Sequence, residues 1–205
     1  MVGLQWRAFR VLSVSVSCMV AATPAAAADR HVPSQYSTIQ AAVNAAVDGD
    51  VIRIAPGTYN ERVSLESGKH VAFRGEVGKA AQTVIASGLD GAVLIIDGVT
   101  NPALLGVSDL TLTHSGVPGV SRAGLFYSGP LGSPIVIERC IFRNNYSTTD
   151  WAGGAYIMGR AEFRRCAFVD NRTAFHGSVG YAYDNCPVTY FECSFRDQLS
   201  GSGLF

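Results

Sequence analysis

The sequence predicts an all-β solenoid of stacked parallel strands, with a small helix at its N-terminal end. Three observations lead to this prediction: a composition suited to strands and turns, short apolar runs between turn residues, and a repeat near the C-terminus. The chain has 205 residues, of which 48% are hydrophobic and 16% charged, so it can form a core and is not a disordered chain. It contains 22 glycines, and only Lys69 and Lys79 are lysines. Long amphipathic helices favour Lys, Glu and Ala, so strands and turns are indicated.

Net charge and apolar run length argue against two classes of partner. The formal net charge is zero, which removes the electrostatic case for nucleic-acid binding. Outside the N-terminal region, no apolar run approaches the roughly 20 residues needed to span a bilayer. We therefore expect no nucleic-acid partner and no membrane span in the mature chain.

Residues 1–28 have the order of features typical of a signal peptide. Two arginines form a short positive region, residues 11–22 are apolar, and the small residues 25–28 supply a cleavage site of the A-x-A type. The alternative, a buried N-terminal helix, is not favoured by this order. We expect cleavage near Ala27 or Ala28 and a secreted, periplasmic or cell-surface location.

Residues 29–50 are predicted to form an N-terminal cap that contains the one convincing helix. Ser37 is placed to cap the first turn, and Gln40 follows three residues later, as in a capping box. Residues 48–50 are predicted to end the helix. Its apolar face is expected to contain Ile39, Val43, Ala46 and Val47.

Residues 51–205 are predicted to form the solenoid, with about six coils. Short β runs recur between turns, and Pro56-Gly57 is predicted to be one of those turns. The runs before the clear repeat are Val51–Ile54, Val63–Leu65, Val71–Phe73, Thr83–Ile85, Val93–Ile96 and Leu110–Leu112.

The repeat aligns three segments, residues 137–145, 163–171 and 190–198. Each segment has a cysteine, a phenylalanine two residues later, and an amide residue three residues after the phenylalanine. Stacked coils would place equivalent residues about 4.8 Å apart. The expected inward ladders are Cys140–Cys166–Cys193 and Phe142–Phe168–Phe195, with Asn145, Asn171 and Gln198 as an amide ladder and Ile141, Ala167 and Ser194 facing outward.

The cysteines allow more than one interpretation. After removal of the signal peptide, Cys140, Cys166, Cys186 and Cys193 remain, an even number that permits disulfides in an exported protein. One cysteine per coil without a C-x-x-C motif favours a small packing ladder over a metal site, so no metal is predicted. A single disulfide between adjacent rungs stays open.

Residues 36–42, 49–63, 71–75 and 83–85 resemble the opening of pectin-lyase-like right-handed parallel β-helix proteins, and are most similar to pectinesterases. The F-x-x-N units and the Gly-Gly-Ala-Tyr of residues 153–156 resemble repeats of polymorphic outer-membrane proteins and related adhesins. The likeness covers nearly all of the mature chain. The resemblance implies a right-handed parallel β-helix. It indicates little about activity, because these families share the fold and differ in chemistry.

The catalytic motifs of pectinesterases are not retained. In that family, one cysteine strand is followed by G-x-Q-D-T and a later one by G-x-V-D-F-I-F-G, whose aspartates serve as acid and nucleophile. Counting from the cysteines, Tyr146 and Ser147 occupy the Gln-Asp positions, and Arg172 and Thr173 occupy the Val-Asp positions. The downstream L-G-R-P-W motif is also missing, so the esterase mechanism of the family is disfavoured.

The remaining candidate site residues lie in the repeat region. Pectate lyases of this fold use calcium-binding acids and a base, so calcium is implied only for lyase-like chemistry. Aromatic side chains could stack on sugar rings, although most cover apolar surface. The catalytic candidates are Asp150, Asp170, Arg143 and Arg172, and the candidates for substrate binding are Tyr146 and Trp151.

Two functions follow from the resemblance. The first is an exported protein that binds or modifies an acidic polysaccharide such as pectin, as a pectinesterase-like or pectate-lyase-like enzyme if it is active. The second is a non-catalytic surface or adhesion scaffold. Because the last repeat ends close to Phe205, we also expect either a truncated product of a longer gene or an end covered by a partner, including end-to-end self-association.

Overall fold

A computed structural model of the protein describes residues 27–66, 68–114, 124–147, 152–174, 177–183 and 185–200. Apart from one helix and two short 3-10 turns, the regular structure in these ranges is β, and every strand pair is parallel. The chain passes repeatedly from one sheet to the next and forms a right-handed parallel β-helix of about five turns. The predicted fold class is therefore confirmed, with one turn fewer than expected.

Four sheets run along the solenoid. Sheet A contains β1 (Asp29–Val32), β2 (Val51–Ile54), β5 (Ala72–Gly75), β8 (Gly106–Ser108), β11 (Ile135–Glu138), β15 (Ala161–Arg164) and β19 (Val188–Phe191). Sheet B contains β3 (Gly57–Tyr59), β6 (Thr83–Ser87), β9 (Thr111–His114), β12 (Ile141–Arg143), β16 (Ala167–Val169) and β20 (Ser194–Arg196). Sheet C contains β4 (Val63–Leu65), β7 (Leu94–Ile96), β10 (Leu125–Ser128), β14 (Ala155–Met158) and β18 (Gly180–Ala182). Sheet D contains β13 (Tyr146–Ser147), β17 (Arg172–Thr173) and β21 (Leu199–Ser200).

The phenylalanine ladder lies inside the solenoid as predicted. Phe142 and Phe168 are fully buried, and their rings stack with centroids 4.8 Å apart. Phe195 stacks on Phe168 at 5.4 Å but is 41% exposed, because it lies on the last described coil. The intervening Ala167 and Ser194 face outward, so the alternation follows the period of two expected for strands.

The cysteine ladder is also confirmed. Cys140 and Cys166 are buried, and Cys193 is half-buried against the core. Each thiol donates to a carbonyl of the preceding coil, for example Cys166 Sγ to Ile137 O at 3.5 Å. These three cysteines are free thiols, so the disulfide left open by the sequence is not formed.

The amide ladder connects coils through side-chain hydrogen bonds. Asn145 and Asn171 are fully buried, and Asn145 Nδ2 donates to Asn171 Oδ1 at 3.0 Å. Asn171 Nδ2 donates to Phe142 O at 2.9 Å, and Gln198 Nε2 donates to Phe168 O at 2.9 Å. These bonds satisfy buried backbone carbonyls at the bend after sheet B.

The helix α1 (Ile39–Ala45) packs against β1, β2 and β4 and covers the N-terminal end of the core. Its cap differs from the prediction: Thr38, not Ser37, accepts from Ala41 N at 3.1 Å. Gln40 forms no capping box, because its side chain accepts from Ser64 N at 2.7 Å and donates to Ser64 O at 3.1 Å. The Glu61 carboxylate accepts instead from the amides of Ile39 and Gln40, at 2.8 and 2.9 Å.

Two further local predictions are wrong. Val47 is 43% exposed instead of lying on the apolar face, since the helix ends at Ala45 and the chain then turns away. Gly57 begins β3 instead of completing a turn with Pro56, because it pairs with Thr83 of the next coil.

The corner between sheets A and B is formed by one non-glycine residue with positive φ in each later coil. These residues are Asp109, Arg139, Arg165 and Glu192, with φ between 51° and 57°. Arg139 makes a two-pronged ion pair with Asp109, both bonds 2.9 Å long, and Arg165 Nε pairs with Glu192 at 2.7 Å. Burial opposes ionisation of Asp109, but hydrogen bonds, first those from Arg139, outweigh it and lower its pKa. Ion pairs between neighbouring coils thus hold these corners.

A close approach of backbones explains one glycine of the 153–156 segment. A Cβ added to Gly154 would lie 2.2 Å from Val179 O, so only glycine fits. On the outer face of sheet C, Phe126, Tyr156 and Tyr181 form an aromatic column with ring centroids 5.8 and 5.5 Å apart. The members of this column are not at one fixed spacing, so no repeat in the sequence predicts it.

Two candidate site residues, Asp150 and Trp151, lie outside the described residues. Residues 1–26 of the predicted signal segment also lie outside them. Where the structure describes the chain, no helix has the length and apolar character required to cross a membrane.

Candidate functional site

Sheet D places the residues that align with the pectinesterase motifs on adjacent rungs. Tyr146 pairs with Arg172, and Ser147 pairs with Thr173. Ser147 and Thr173 are buried, whereas Tyr146 and Arg172 are exposed. The two positions that would carry catalytic aspartates in pectinesterases therefore hold hydroxyl side chains that point away from solvent.

The bend before sheet D sets this orientation. Asn144 and Asp170 have φ of 53° and 52°, the left-handed conformation that Asn and Asp adopt more readily than most residues. The next residue on each coil belongs to the buried amide ladder. The following residue, Tyr146 or Arg172, is then directed outward by the alternation of a strand.

Four of these side chains line a shallow depression of about 510 Å³: Asn144, Tyr146, Asp170 and Arg172. Tyr146 and Arg172 are exposed and Asp170 is half-buried. Within the described residues, the Asp170 carboxylate and the Arg172 guanidinium make no ion pair and no side-chain hydrogen bond. Both side chains direct polar groups toward the depression.

The structure brings three of the predicted site residues together, namely Tyr146, Asp170 and Arg172. Arg143 lies on β12, in register with Val169, and does not line the depression. Its Nε is buried without a hydrogen-bond partner in the described part of the chain. The roles of these residues stay predictions.

The depression has the chemistry of a binding surface more than that of a hydrolytic centre. A phenol ring can stack on an apolar face, a guanidinium binds carboxylates through paired hydrogen bonds, and amide and carboxylate oxygens accept from hydroxyls. Two-carboxylate acid–base chemistry needs a pair of acids facing one bond. Asp170 is the one carboxylate among the described residues that line the depression.

In the described ranges, no group of three or more His, Cys, Asp or Glu side chains comes together in a way that could hold a metal ion. This includes His70, whose environment the sequence did not predict. His70 is buried, its Nδ1 lies 3.1 Å from Asp48 Oδ2, and its Nε2 accepts from the backbone amide of Asn101 at 2.8 Å. Because Nε2 is an acceptor, the ring proton is on Nδ1, and the histidine connects two loops near α1.

The fold is similar to that of two solved pectin methylesterases. The structure of rice weevil pectin methyl esterase superposes with a TM-score of 0.55 and 15% sequence identity, covering 83% of this chain and 65% of that enzyme. The pectin methylesterase from Aspergillus niger superposes with a TM-score of 0.50 and 14% identity, covering 90% of this chain and 70% of the enzyme. The chain thus spans slightly less than two thirds of the length of the weevil enzyme. At these identities the similarity shows the fold alone.

No protein-family model matches the chain, and no curated protein matches it significantly.

Proposed function

We propose that this protein is an exported β-helix protein that binds an acidic polysaccharide such as pectin. The observation that carries the proposal is the placement of Tyr146 and Arg172 on adjacent exposed rungs, beside Asn144 and Asp170. The likeness in fold to two pectin methylesterases supports the choice of ligand. An arginine beside an aromatic ring suits a sugar that carries a carboxylate.

Binding is favoured over modification by the residues at the two motif positions. Ser147 and Thr173 cannot act as the acid and nucleophile that aspartates supply in pectinesterases, and both are buried. If the protein does modify its ligand, the chemistry has to use other residues, with Asp170 and Arg172 as the described candidates. A calcium-dependent, lyase-like reaction would be the alternative, with calcium supplied in solution.

The test combines binding and turnover on the same polymers. Purified mature protein is incubated with pectins of high and low methylation, with and without calcium, and assayed for released methanol, unsaturated products and retention on the polymer. We expect retention without turnover. A double variant, Tyr146→Ala with Arg172→Ala, should weaken retention, whereas the exposed control pair Tyr183→Ala and Arg160→Ala should keep it at the wild-type level. Equal retention by both double variants would contradict the proposed site.

A non-catalytic surface or adhesion scaffold is the second candidate. Exposed aromatic surface on the last described coil supports it, since the outward-facing Phe191 is 61% exposed and the inward-facing Phe195 is 41% exposed. Absence of both retention and turnover on every polymer would favour the scaffold.

Export is proposed from the features of residues 1–28. The measurement is the N-terminal mass of the protein recovered from a secreting host. A product that begins at Met1 would contradict it.

A further inference from the structure

A second groove lies on the outer face of sheet A, far along the chain from the site above. It has a volume of about 550 Å³ and lies at the carboxyl ends of β1, β2 and β5. His31, Arg53 and Arg74 line it from three successive strands, and they are direct register partners. Adjacent parallel strands are about 4.8 Å apart, so the groove presents one basic side chain per coil at that interval.

These basic side chains have fewer ion-pair partners than the charged side chains farther along the same face of sheet A. Arg53 Nε pairs with Asp29 at 3.1 Å in an exposed ion pair, and exposed pairs contribute little. In the described part of the chain, Arg74 and the His31 ring have no ion-pair partner. Glu76 also lines the groove and forms an exposed ion pair with Lys79 at 2.6 Å.

Farther along the same outer column of sheet A, the charged side chains form ion pairs within the protein. Glu138 and Arg164 follow in register after Ser108, and their charges are used within the protein. Glu138 pairs with Arg139 at 2.7 Å, and Arg164 pairs with Glu162 at 2.8 Å. Along this outer column, the arginines that lack a strong ion pair therefore lie on β2 and β5.

We propose that this groove binds an anionic polysaccharide chain, with one carboxylate per sugar, lying along the solenoid axis. The ligand class rests on the proposed function, and the groove adds a second, charge-dependent site. Arg53 and Arg74 are register partners one coil apart, so they suit a polymer whose negative charges repeat at a similar interval, with each carboxylate contacting one guanidinium. A neutral, methyl-esterified chain lacks these contacts.

Titration with short oligogalacturonates tests the groove. We expect Arg53→Ala with Arg74→Ala to weaken binding of the de-esterified oligomer about tenfold or more, to reduce the salt dependence of binding, and to leave the methyl-esterified oligomer unaffected. The control pair is Arg160→Ala with Arg196→Ala, two exposed arginines outside the groove. Unchanged affinity in the groove variant, with wild-type binding intact, would overturn the groove alone. No binding of either oligomer by the wild type would overturn the proposed function as well.

A second, independent observation concerns Asp50, a fully buried carboxylate near the start of the described chain. Asp50 accepts from Ala28 N at 2.8 Å, from Val47 N at 3.0 Å and from Arg30 Nε at 2.5 Å. Burial opposes its ionisation, but the hydrogen bonds from the Val47 and Ala28 amides and from Arg30 lower its pKa. The nitrogen of Ala28 thus lies against a buried negative charge.

Ala28 directly follows the A-x-A segment of residues 25–27. Hydrolysis of the Ala27–Ala28 peptide bond by a signal peptidase adds one water, leaving a carboxylate on Ala27 and an α-ammonium group on Ala28. We infer that this new ammonium forms an ion pair with Asp50 and so stabilises the fold further after processing. The inference rests on the proposed export. A charge-assisted bond would replace the amide bond already present.

The test compares a chain that begins at Ala28 with one that retains residues 20–27. At pH 6 we expect the processed chain to melt several degrees higher. The pairing raises the pKa of the ammonium above its ordinary value of ~8, so the advantage should be present below that pH and be lost as pH rises beyond it. Acetylation of Ala28, or Asp50→Asn, should remove the difference.

Equal melting temperatures of the two wild-type chains at pH 6 would overturn the ion pair. An exported product that begins at another residue, found by mass spectrometry, would overturn the processing site.

Discussion

Phe168 has aromatic rings on four sides and is fully buried. Phe142 and Phe195 stack on its two faces, while Phe163 and Tyr190 meet it edge-on at 5.6 and 5.8 Å. Phe168→Ala is expected to reduce the free energy of unfolding by about 3–5 kcal/mol, because it removes the central ring and leaves a cavity. Urea denaturation measures the change.

Phe195→Ala is the matched control, with a smaller loss expected because Phe195 is 41% exposed. A loss under about 1 kcal/mol for Phe168→Ala would show that this ring is not central to the core.

Tyr127 is fully buried, and its hydroxyl has no hydrogen-bond partner in the part of the chain that is described. Burial raises the pKa of Tyr127 to about 12. Tyr127→Phe should therefore increase the free energy of unfolding by about 1 kcal/mol, because it removes an unpaired polar group without changing the packing. A loss of stability in this variant would indicate a bound partner for the hydroxyl.

The same residue predicts alkaline sensitivity. The unfolded chain releases the Tyr127 proton near its ordinary pKa of ~10, whereas the folded chain holds it until about 12. Between these values the unfolded state binds fewer protons, so the stability of the wild type should fall as pH rises. This fall should be smaller in Tyr127→Phe, as measured by denaturation at a series of pH values.

For single residues, the repeat predicted which side chains point inward. Side chains alternate between the two faces of a strand, and the fixed interval between repeats places equivalent residues on the same face. Cys140, Phe142 and Asn145 were placed correctly for this reason. Tyr127 and His70 were not recognised, since no repeat or local motif marks them. Their environments depend on loops that differ from coil to coil.

The capping of α1 shows how a distant element corrects a local prediction. Glu61 lies 22 residues from Ile39 and accepts from the first amides of the helix, so the helix is joined to the strand region as well as to its own cap. Glu61→Ala should cost about 1–2 kcal/mol, and Thr38→Ala about 1 kcal/mol. Ser37→Ala, the cap predicted from sequence, should have almost no effect. Chemical denaturation of the three variants measures the order, and a larger loss for Ser37→Ala would contradict the observed cap.

The helix itself was predictable because the apolar spacing of Ile39 and Val43 needs only local geometry. The start of the helix was not predictable, because the sequence does not show which carboxylate from another coil contacts the first amides of the helix. The same applies to the candidate site. The pairing of Tyr146 with Arg172 follows from the repeat, whereas the separation of Arg143 from them depends on the bend after β12.

At the scale of the whole molecule, the two ends of the solenoid differ. α1 covers the N-terminal end, whereas β20 is the last strand of sheet B in the described chain and leaves the inward-facing Phe195 41% exposed. We predict that two copies associate through these C-terminal ends, since the helix obstructs a head-to-tail contact. Light scattering over a range of concentrations should show a dimer, and Phe195→Glu should shift it to monomer. A wild-type protein that stays monomeric at all concentrations would contradict this prediction.

The overall architecture was predictable because a solenoid repeats one local unit, and three aligned copies are enough to establish its period. The number of turns was overestimated by one. The early β runs lack the cysteine marker, and the loops between sheets vary in length, so coils cannot be counted from spacing alone.

The three stacked thiols can report the order in which the coils of the solenoid open. The contact with the neighbouring thiol, together with burial, raises the pKa of Cys166 and of Cys193, so little thiolate is available in the intact coil. A reagent that attacks thiolates can therefore react only after a coil has opened. Since Cys193 lies on the half-exposed last coil and Cys140 is deepest along the stack, the order in which they are labelled would record how far fraying has travelled from one end.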